Sequence, residues 1–334
     1  DCFEASAAKY ANNPLIGEKD SAGVYQWVTY GQIAQRVNNL RAGLASIGVG
    51  VGDTVGIIAN NRKEWLIAEI ATQGLGAAYV PMYEKELVSM WKYIVKDATI
   101  KVLLVSKNDI LEKIKDFPAE IPTLKHLYLI EGSGEKTLAA LEKKGAEKPV
   151  PSRKPKYSEV AVLIYTSGTT GEPKGVLLSH GSLVENFKLS LSWFPHLNEK
   201  SCCISMLPWA HSFGITADLH ASIWRGSSLG IMGSVETLID DLPKIKPTVM
   251  VSVPRVFNKV YNGVWAKMRE EGGLKLKLFE AALAAAKLKR EKGKAGLKYK
   301  ILDKIVLQKI RDRFGGKLEN AVTGSAPMNV DIAK

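Results

Sequence analysis

The feature that most constrains the fold of this chain is the alternation of short β-branched runs with longer helical patterns. The clearest helix is predicted over residues 30–47, where Ile33, Val37, Leu40 and Leu44 recur every three or four positions. Such alternation is typical of an α/β protein whose parallel sheets are covered by helices. The predicted strands are 54–59, 77–82, 101–106, 126–130, 160–165, 201–207, 227–232, 248–253 and 319–323. The predicted helices, besides 30–47, are 62–74, 86–97, 109–117, 182–193, 215–224, 236–242, 255–271, 274–292 and 298–314.

A polar, lysine-rich stretch over residues 132–157 interrupts this alternation and contains Pro149, Pro151 and Pro155. Prolines and polar residues between periodic segments indicate a loop or linker. We therefore predict two αβα subdomains in tandem, the first over residues 1–150 and the second over residues 151–334.

Charge and cysteine content narrow the class of protein. The formal net charge is +12, and residues 275–313 contain thirteen Lys or Arg against four Asp or Glu. This basic helical segment is either a solvated insertion or a surface that contacts an anionic membrane. It lacks the interleaved aromatic residues of nucleic-acid-binding modules, so no nucleic acid is expected. The three cysteines, Cys2, Cys202 and Cys203, have neither disulfide-framework nor zinc-site spacing.

A loop rich in hydroxyls follows the predicted strand 160–165. It contains the hydroxyl residues Thr166, Ser167, Thr169 and Thr170, the glycines Gly168, Gly171 and Gly175, and Lys174. Glycines permit positive φ and a close approach of the backbone N–H groups to anionic oxygens, and a lysine adds a point charge. The composition suits a triphosphate. The order of residues excludes the P-loop motif, because glycine rather than Ser or Thr follows the lysine. A surface loop without a ligand is the alternative.

Residues 165–175, Tyr-Thr-Ser-Gly-Thr-Thr-Gly-Glu-Pro-Lys-Gly, resemble the signature of the adenylate-forming (acyl-activating) superfamily. Four further segments resemble long-chain fatty acid–CoA ligases: residues 23–30 with 53–65, the Leu-Pro-Trp-Ala-His stretch at 207–211, the Pro-Thr to Val-Pro-Arg stretch at 247–255, and Gly-Ser-Ala-Pro at 324–327. The resemblance covers nearly the whole chain. Residues 83–86, Tyr-Glu-Lys-Glu, depart from the family's usual Tyr-Asp-Thr, which leaves the subgroup open.

The resemblance implies that a fatty acid is activated by ATP to an acyl-adenylate and then transferred to coenzyme A, with Mg²⁺ as cofactor. Lys174 and His211 would be catalytic, and Thr166 would contact the metal. The nucleotide would contact residues of the phosphate loop and of the small-residue segment near the end of the chain: Thr166, Ser167, Gly168, Thr169, Thr170, Gly171, Lys174, Gly324, Ser325, Ala326 and Pro327. Trp209 is expected either to line the acyl tunnel or to lie in the core.

Several alternatives stay open at this point. The acid could be another carboxylate, or the acceptor an acyl carrier protein. Family members continue into a Tyr-Gly-x-Thr-Glu motif and a C-terminal lid domain with a catalytic lysine, which are not in this sequence. These 334 residues alone are therefore expected to form no thioester, and could act as a nucleotide-binding fragment. The expected location is the cytoplasm or the cytosolic face of an intracellular membrane such as the endoplasmic reticulum.

Overall fold

The structure, a computed structural model, describes residues 2–166, 172–294 and 296–333. The chain forms two compact units. The first contains Asp1–Gly17, Gln26–Lys200 and Pro208–Ser228, and the second contains Glu18–Tyr25, Ser201–Leu207 and Leu229–Lys334. Strands alternate with helices along most of the chain, which confirms the α/β class.

The strands are β1 (Pro14–Lys19), β2 (Tyr25–Thr29), β3 (Thr54–Ile58), β4 (Ala78–Met82), β5 (Val102–Val105), β6 (His126–Leu129), β7 (Val160–Thr166), β8 (Lys174–Ser179), β9 (Cys202–Ser205), β10 (Ser228–Ile231), β11 (Val249–Ser252) and β12 (Asn320–Thr323). All nine strands predicted from the sequence are present, with bounds that shift by one or two residues. Strands β1, β2 and β8 were not predicted.

The α-helices are α1 (Cys2–Lys9), α2 (Tyr30–Ser46), α3 (Lys63–Gln73), α4 (Val88–Asp97), α5 (Asn108–Ile114), α6 (Phe117–Glu120), α7 (Leu138–Ala146), α8 (His180–Ser192), α9 (Ala221–Arg225), α10 (Leu238–Ile245), α11 (Pro254–Glu271), α12 (Gly273–Lys292), α13 (Leu297–Leu302), α14 (Gln308–Arg313) and α15 (Val330–Ala333). Two π-helical segments, Gly214–His220 and Asp303–Leu307, lead into α9 and α14. Thus the predicted helices 215–224 and 298–314 exist but are not regular α-helices throughout.

The first unit contains a six-stranded sheet in the order β6-β5-β3-β4-β7-β8. Strands β3 to β7 pair in parallel, whereas β8 returns antiparallel to β7. Every residue of β3 and β5 is buried, as expected for central strands with helices on both faces. Strands before and after residue 150 therefore share this sheet. The two compact units do not divide at residue 150. The domain boundary at that residue stays a prediction from the sequence.

The second sheet has the order β12-β11-β9-β10-β1-β2. Strand β11 pairs in parallel with β12, with Val249 opposite Asn320, and with β9, with Val249 opposite Cys203. Residues of β9, β11 and α10 form a buried apolar cluster that includes Ile204, Leu242 and Met250. Cys203 is buried in β9, consistent with a core residue. This sheet determines where residues 324–327 leave β12.

Helices α2 and α7 pack in direct contact through glycines. A Cβ atom at Gly145 would overlap the carbonyl oxygen of Asn39 and the nitrogen of Gly43, and one at Gly43 would overlap the carbonyl oxygen of Leu141. Beside this contact, Arg36 of α2 donates to both carboxylate oxygens of Glu142, at 2.9 and 3.0 Å. The close approach of the helices therefore requires residues without side chains.

We expect Gly145→Ala to destabilise the first unit by about 1–3 kcal/mol, because the new methyl group must push the two helices apart. Gly263→Ala in α11 is the matched control, since a Cβ there meets no atom within 4 Å. Alanine in an open helical position should instead stabilise by up to about 1 kcal/mol. Urea unfolding of the three proteins measures both changes. Equal or greater stability of the Gly145 variant would contradict the packing described here.

None of the helices in the described part of the chain is long and apolar enough to cross a membrane.

Candidate nucleotide and acyl-activation site

The predicted phosphate loop connects β7 to β8 as a hairpin. Thr166 ends β7 and Lys174 begins β8, and the two residues lie opposite each other as the last pair before the loop. Both are exposed. Residues 167–171, which include the predicted site residues Ser167, Gly168, Thr169, Thr170 and Gly171, lie outside the described residues. The structure therefore brings together Thr166 and Lys174, one hydroxyl and one ammonium group, at the base of this loop.

Tyr165 fixes this hairpin to the rest of the first unit. Its hydroxyl donates a 2.6 Å hydrogen bond to Asp97 Oδ2 at the end of α4. Burial and this hydrogen bond to the carboxylate raise the pKa of the Tyr165 phenol. The tyrosine therefore remains a neutral donor at physiological pH. No local sequence pattern reveals this anchor, because the two residues are 68 positions apart.

Gly175 lies opposite Tyr165 in the hairpin, where a side chain would crowd the tyrosine ring. A Cβ at this position would lie 3.0 Å from Cζ of the tyrosine ring. Gly175 is part of β8 and is not among the glycines with positive φ, so the backbone does not use the freedom that a glycine offers there. The absent side chain makes room for a neighbouring ring rather than for a left-handed backbone.

His211 lies in an exposed turn that follows β9 in sequence and belongs to the first unit. Its Nδ1 accepts a 3.1 Å hydrogen bond from the backbone N–H of Phe213. In the neutral ring the proton must then be on Nε2. The backbone N–H of Trp209 donates to Asn61 Oδ1 at 2.9 Å and holds the start of the turn. The arrangement leaves Nε2–H as a donor suited to a carboxylate or phosphate oxygen.

Trp209, for which two roles were considered, lies fully in the core. Its indole N–H points to Asp218 Oδ2 at 3.3 Å, and its ring meets Trp65 edge-to-face with centroids 5.5 Å apart. Trp65 in turn packs edge-to-face on Tyr79 of β4. These contacts support a structural role for Trp209.

Residues Gly324 to Pro327 follow the carboxyl end of β12 in the second unit. The N–H of Gly324 donates to the carbonyl oxygen of Ser252 in β11, at 3.3 Å. Ser325 has φ +65°, a left-handed conformation that is uncommon for a residue with a side chain. Ser325, Ala326 and Pro327 are exposed, and α15 begins three residues after the proline. The segment thus presents backbone and small side chains at the end of a parallel strand, where α/β proteins commonly bind ligands.

The other histidines contribute no metal cluster within the described residues, where no group of three or more His, Cys, Asp or Glu could hold an ion. His220 does have a carboxylate partner that the sequence spacing did not reveal, since Nε2 lies 2.9 Å from Oε1 of the fully buried Glu69. The two residues are 151 positions apart. This pair lies in the interior of the first unit, among the helices that cover its sheet.

Comparisons with known proteins identify the family of this chain. Residues 3–334 match the model of the AMP-binding enzyme family. The chain is 30% identical to the peroxisomal long chain acyl-CoA synthetase 7 of Arabidopsis thaliana and 32% identical to long chain acyl-CoA synthetase 3 of the same plant. These alignments cover 99% of the chain but 49% and 53% of the two plant proteins. The chain therefore spans about half the length of these relatives.

Solved structures support the fold independently. The adenylation domain of a carboxylate reductase from Mycobacterium chelonae superposes with a TM-score of 0.76 at 20% identity, over 99% of this chain and 54% of that one. An identity this low supports the fold but not a shared substrate. Together with the family match over nearly every residue, it leads to one conclusion: the chain belongs to the AMP-binding enzyme family, with the fold of the N-terminal part of adenylate-forming enzymes.

Proposed function

We propose that the protein carrying this chain activates long-chain fatty acids with ATP and transfers them to coenzyme A. The observation that carries the proposal is the family match along residues 3–334, with curated relatives that are named long chain acyl-CoA synthetases. The geometry also supports the proposal, because the hydroxyl of Thr166 and the ammonium group of Lys174 belong to paired residues at the base of the loop.

The reaction has two steps. In the first, a carboxylate oxygen attacks the α-phosphorus of ATP, the bond to the β-phosphate oxygen breaks, and pyrophosphate leaves. In the second, the sulfur of coenzyme A attacks the acyl carbon. AMP leaves and keeps the carboxylate oxygen that attacked in the first step. Both steps gather negative charge on phosphate oxygens, so donors and cations that are fixed in advance contribute most of the catalysis.

Within this proposal, Lys174 binds the β- and γ-phosphates from the base of the loop, where its side chain is exposed. The Nε2–H of His211 donates to the acyl carboxylate or to the adenylate. The backbone of residues 324–327 contacts the adenine ring, because the small side chains there leave the backbone accessible to a flat ring. The other loop residues, 167–171, would supply hydroxyl and backbone donors.

The family's chemistry also implies Mg²⁺. A magnesium ion with ATP is held largely by phosphate oxygens and waters, with only one or two protein ligands. Thr166 fits such a role, because its hydroxyl is the last before the loop and is on an exposed residue. A bound ion would neutralise charge on the phosphates. Thr166 would then mark the end of the hairpin at which the triphosphate binds.

Exchange of labelled pyrophosphate into ATP tests the first step alone. We expect exchange that depends on added palmitate or another long-chain fatty acid. The panel of acids includes acetate, benzoate and medium-chain acids, each at equal concentration. Exchange that responds only to acetate or to aromatic acids would eliminate the long-chain assignment while leaving adenylation intact, and no exchange with any acid would eliminate both.

We further propose that the basic segment, residues 275–313, contacts an anionic membrane surface, which would place the protein at the cytosolic face of an intracellular membrane. On α13, Leu297 and Ile301 are 74% and 53% exposed and stand one turn apart, with Lys298 and Lys300 beside them. An exposed apolar pair among lysines is typical of helices that insert shallowly into lipid headgroups.

A double variant, Leu297→Glu with Ile301→Glu, should reduce binding to phosphatidylserine vesicles about tenfold or more, because it removes apolar burial and adds two negative charges. Vesicle sedimentation at low and high salt measures the change. Val51→Glu, at a position 68% exposed in the first unit, is the control and should bind like wild type. Unchanged binding by the double variant would refute this contact.

A further inference from the structure

A large apolar cavity that is partly open to solvent lies within the second unit, among α10, α11, α12 and the helical segment 303–313. Its volume is about 720 Å³. This lies within the range of about 300–1,000 Å³ that is usual for small-molecule sites. Apolar side chains from several helices line it, among them Leu238, Val260, Met268, Leu278, Ile310 and Phe314.

Part of the wall comes from the basic segment, residues 275–313. Ile305, Val306 and Ile310 of this segment line the cavity, although Ile305 is 44% exposed. An apolar side chain that lies at a cavity and is still open to water gains from burial by a ligand. The apolar residues of the basic segment are therefore divided between the exposed surface at Leu297 and Ile301 and the wall of this cavity.

The lining of the cavity carries an excess of positive charge. It includes the five cationic residues Lys259, Lys267, Lys275, Lys309 and Arg313 against two carboxylates, Glu236 and Glu271. Lys275 is paired with Glu271 at 3.2 Å. Within residues 2–166, 172–294 and 296–333, no ion pair neutralises the other four cations. Long lysine stems can lie along apolar surface while their ammonium groups stay in water. An apolar interior with a cationic rim is complementary to an amphiphile with an anionic head.

We propose that this cavity binds one long-chain acyl group with an anionic head, at a site made of residues other than the phosphate loop and the His211 turn. The choice of an acyl chain rests on the proposed function, whereas the complementarity rests on the cavity itself. The anionic head could be the carboxylate of a free fatty acid or the phosphates of its coenzyme A thioester. Both present the same chemistry to the rim.

Gly263 offers a way to fill the cavity without disturbing the fold. It lines the cavity from α11, and a Cβ there would meet no atom within 4 Å. Gly263→Phe should therefore place a ring in the open space and also improve helix propensity. Gly263→Ala makes the same backbone change without the bulk. The pair separates occupation of the cavity from any effect on the helix.

The test uses the protein carrying this chain, with a palmitate analogue that carries a photoreactive diazirine on its acyl chain, and mass spectrometry locates the cross-links. We expect labelling of residues in α11 and in 303–313. Gly263→Phe should lower this labelling by about tenfold or more, a change of the size that altered volume in an apolar pocket produces, whereas Gly263→Ala should label like wild type. Unlabelled palmitate and palmitoyl-CoA serve as competitors, and the one that competes at lower concentration identifies the head group.

Charge reversal tests the rim. Lys267→Glu should weaken competition by palmitate but leave competition by the neutral alcohol hexadecanol unchanged. Labelling that avoids residues 235–314, or that persists in Gly263→Phe, would overturn the proposal. A second copy or another segment of the protein that fills the cavity would overturn it as well. Palmitate-dependent pyrophosphate exchange separates the two proposals. If Gly263→Phe keeps the exchange and loses the labelling, both proposals are supported. If the wild type is labelled but shows no exchange, only the proposed reaction is contradicted.

Discussion

Replacing Lys174 with alanine is expected to lower the rate of fatty-acid-dependent pyrophosphate exchange by about 10²- to 10³-fold. The ammonium group is the cation at the base of the loop, opposite Thr166 in the β7–β8 hairpin. Charge develops on the phosphate oxygens in the transition state, and a fixed cation there stabilises it more than it stabilises bound ATP. The loss should therefore appear mainly in kcat rather than in KM.

The stability of the same variant should change by no more than about 0.5 kcal/mol, because the lysine is exposed. Lys113→Ala removes another exposed lysine, from α5 of the same unit, and serves as the matched control, with exchange expected at the wild-type rate. If the Lys174 variant exchanged as fast as the Lys113 variant, the loop would not bind the phosphates through this residue.

Truncating Trp65 should have the largest effect on stability. The side chain is fully buried in α3, with Tyr79 and Trp209 packed edge-to-face at 5.0 and 5.5 Å. Trp65→Ala leaves a cavity in the centre of the first unit, for which a loss of about 3–5 kcal/mol is expected. Because Trp209 begins the turn that carries His211, the same change should also disturb that turn. Urea unfolding followed by circular dichroism measures the loss.

Two further variants test whether the loss of stability comes from the buried packing of Trp65. Trp193→Ala removes a tryptophan that is 78% exposed, and its effect should stay within about 0.5 kcal/mol. Trp65→Phe should cost much less than Trp65→Ala, because it keeps most of the ring and removes an indole N–H that has no hydrogen-bond partner among the described residues. A similar loss for the Trp65→Ala and Trp193→Ala variants would contradict the packing described here.

The parts of the fold that follow a strong local pattern could be predicted from the sequence. Helix α2 shows both of its signals there: the apolar stripe of Ile33, Val37 and Leu40, and the reciprocal capping of Thr29 and Gln32 at its start. Strand β8 was missed because its first four residues are exposed and two of its six are polar, so it lacks the buried run of the central strands. The π-helical geometry at Gly214–His220 has no recognisable spacing in the sequence.

The candidate site could be predicted only in part, for a different reason. The motif names Thr166 and Lys174, which are close in the chain and which pair across the β7–β8 hairpin. Their roles in binding stay predictions. The hydrogen bond between Tyr165 and Asp97, and the pair of His220 and Glu69, join residues far apart in sequence, which no local pattern encodes. The cavity of the second unit likewise depends on how four helical segments meet. The roles proposed for residues 167–171 remain predictions from the motif.

The measurement that tests the central claim most directly follows one oxygen atom. Palmitate labelled with ¹⁸O in both carboxylate oxygens is given to the protein carrying this chain, with ATP and coenzyme A, and the nucleotide product is analysed by mass spectrometry. An acyl-adenylate requires the attacking oxygen to stay on the α-phosphorus, so each AMP should carry one ¹⁸O. Unlabelled AMP, or ¹⁸O found in inorganic phosphate with ADP as the product, would contradict the account.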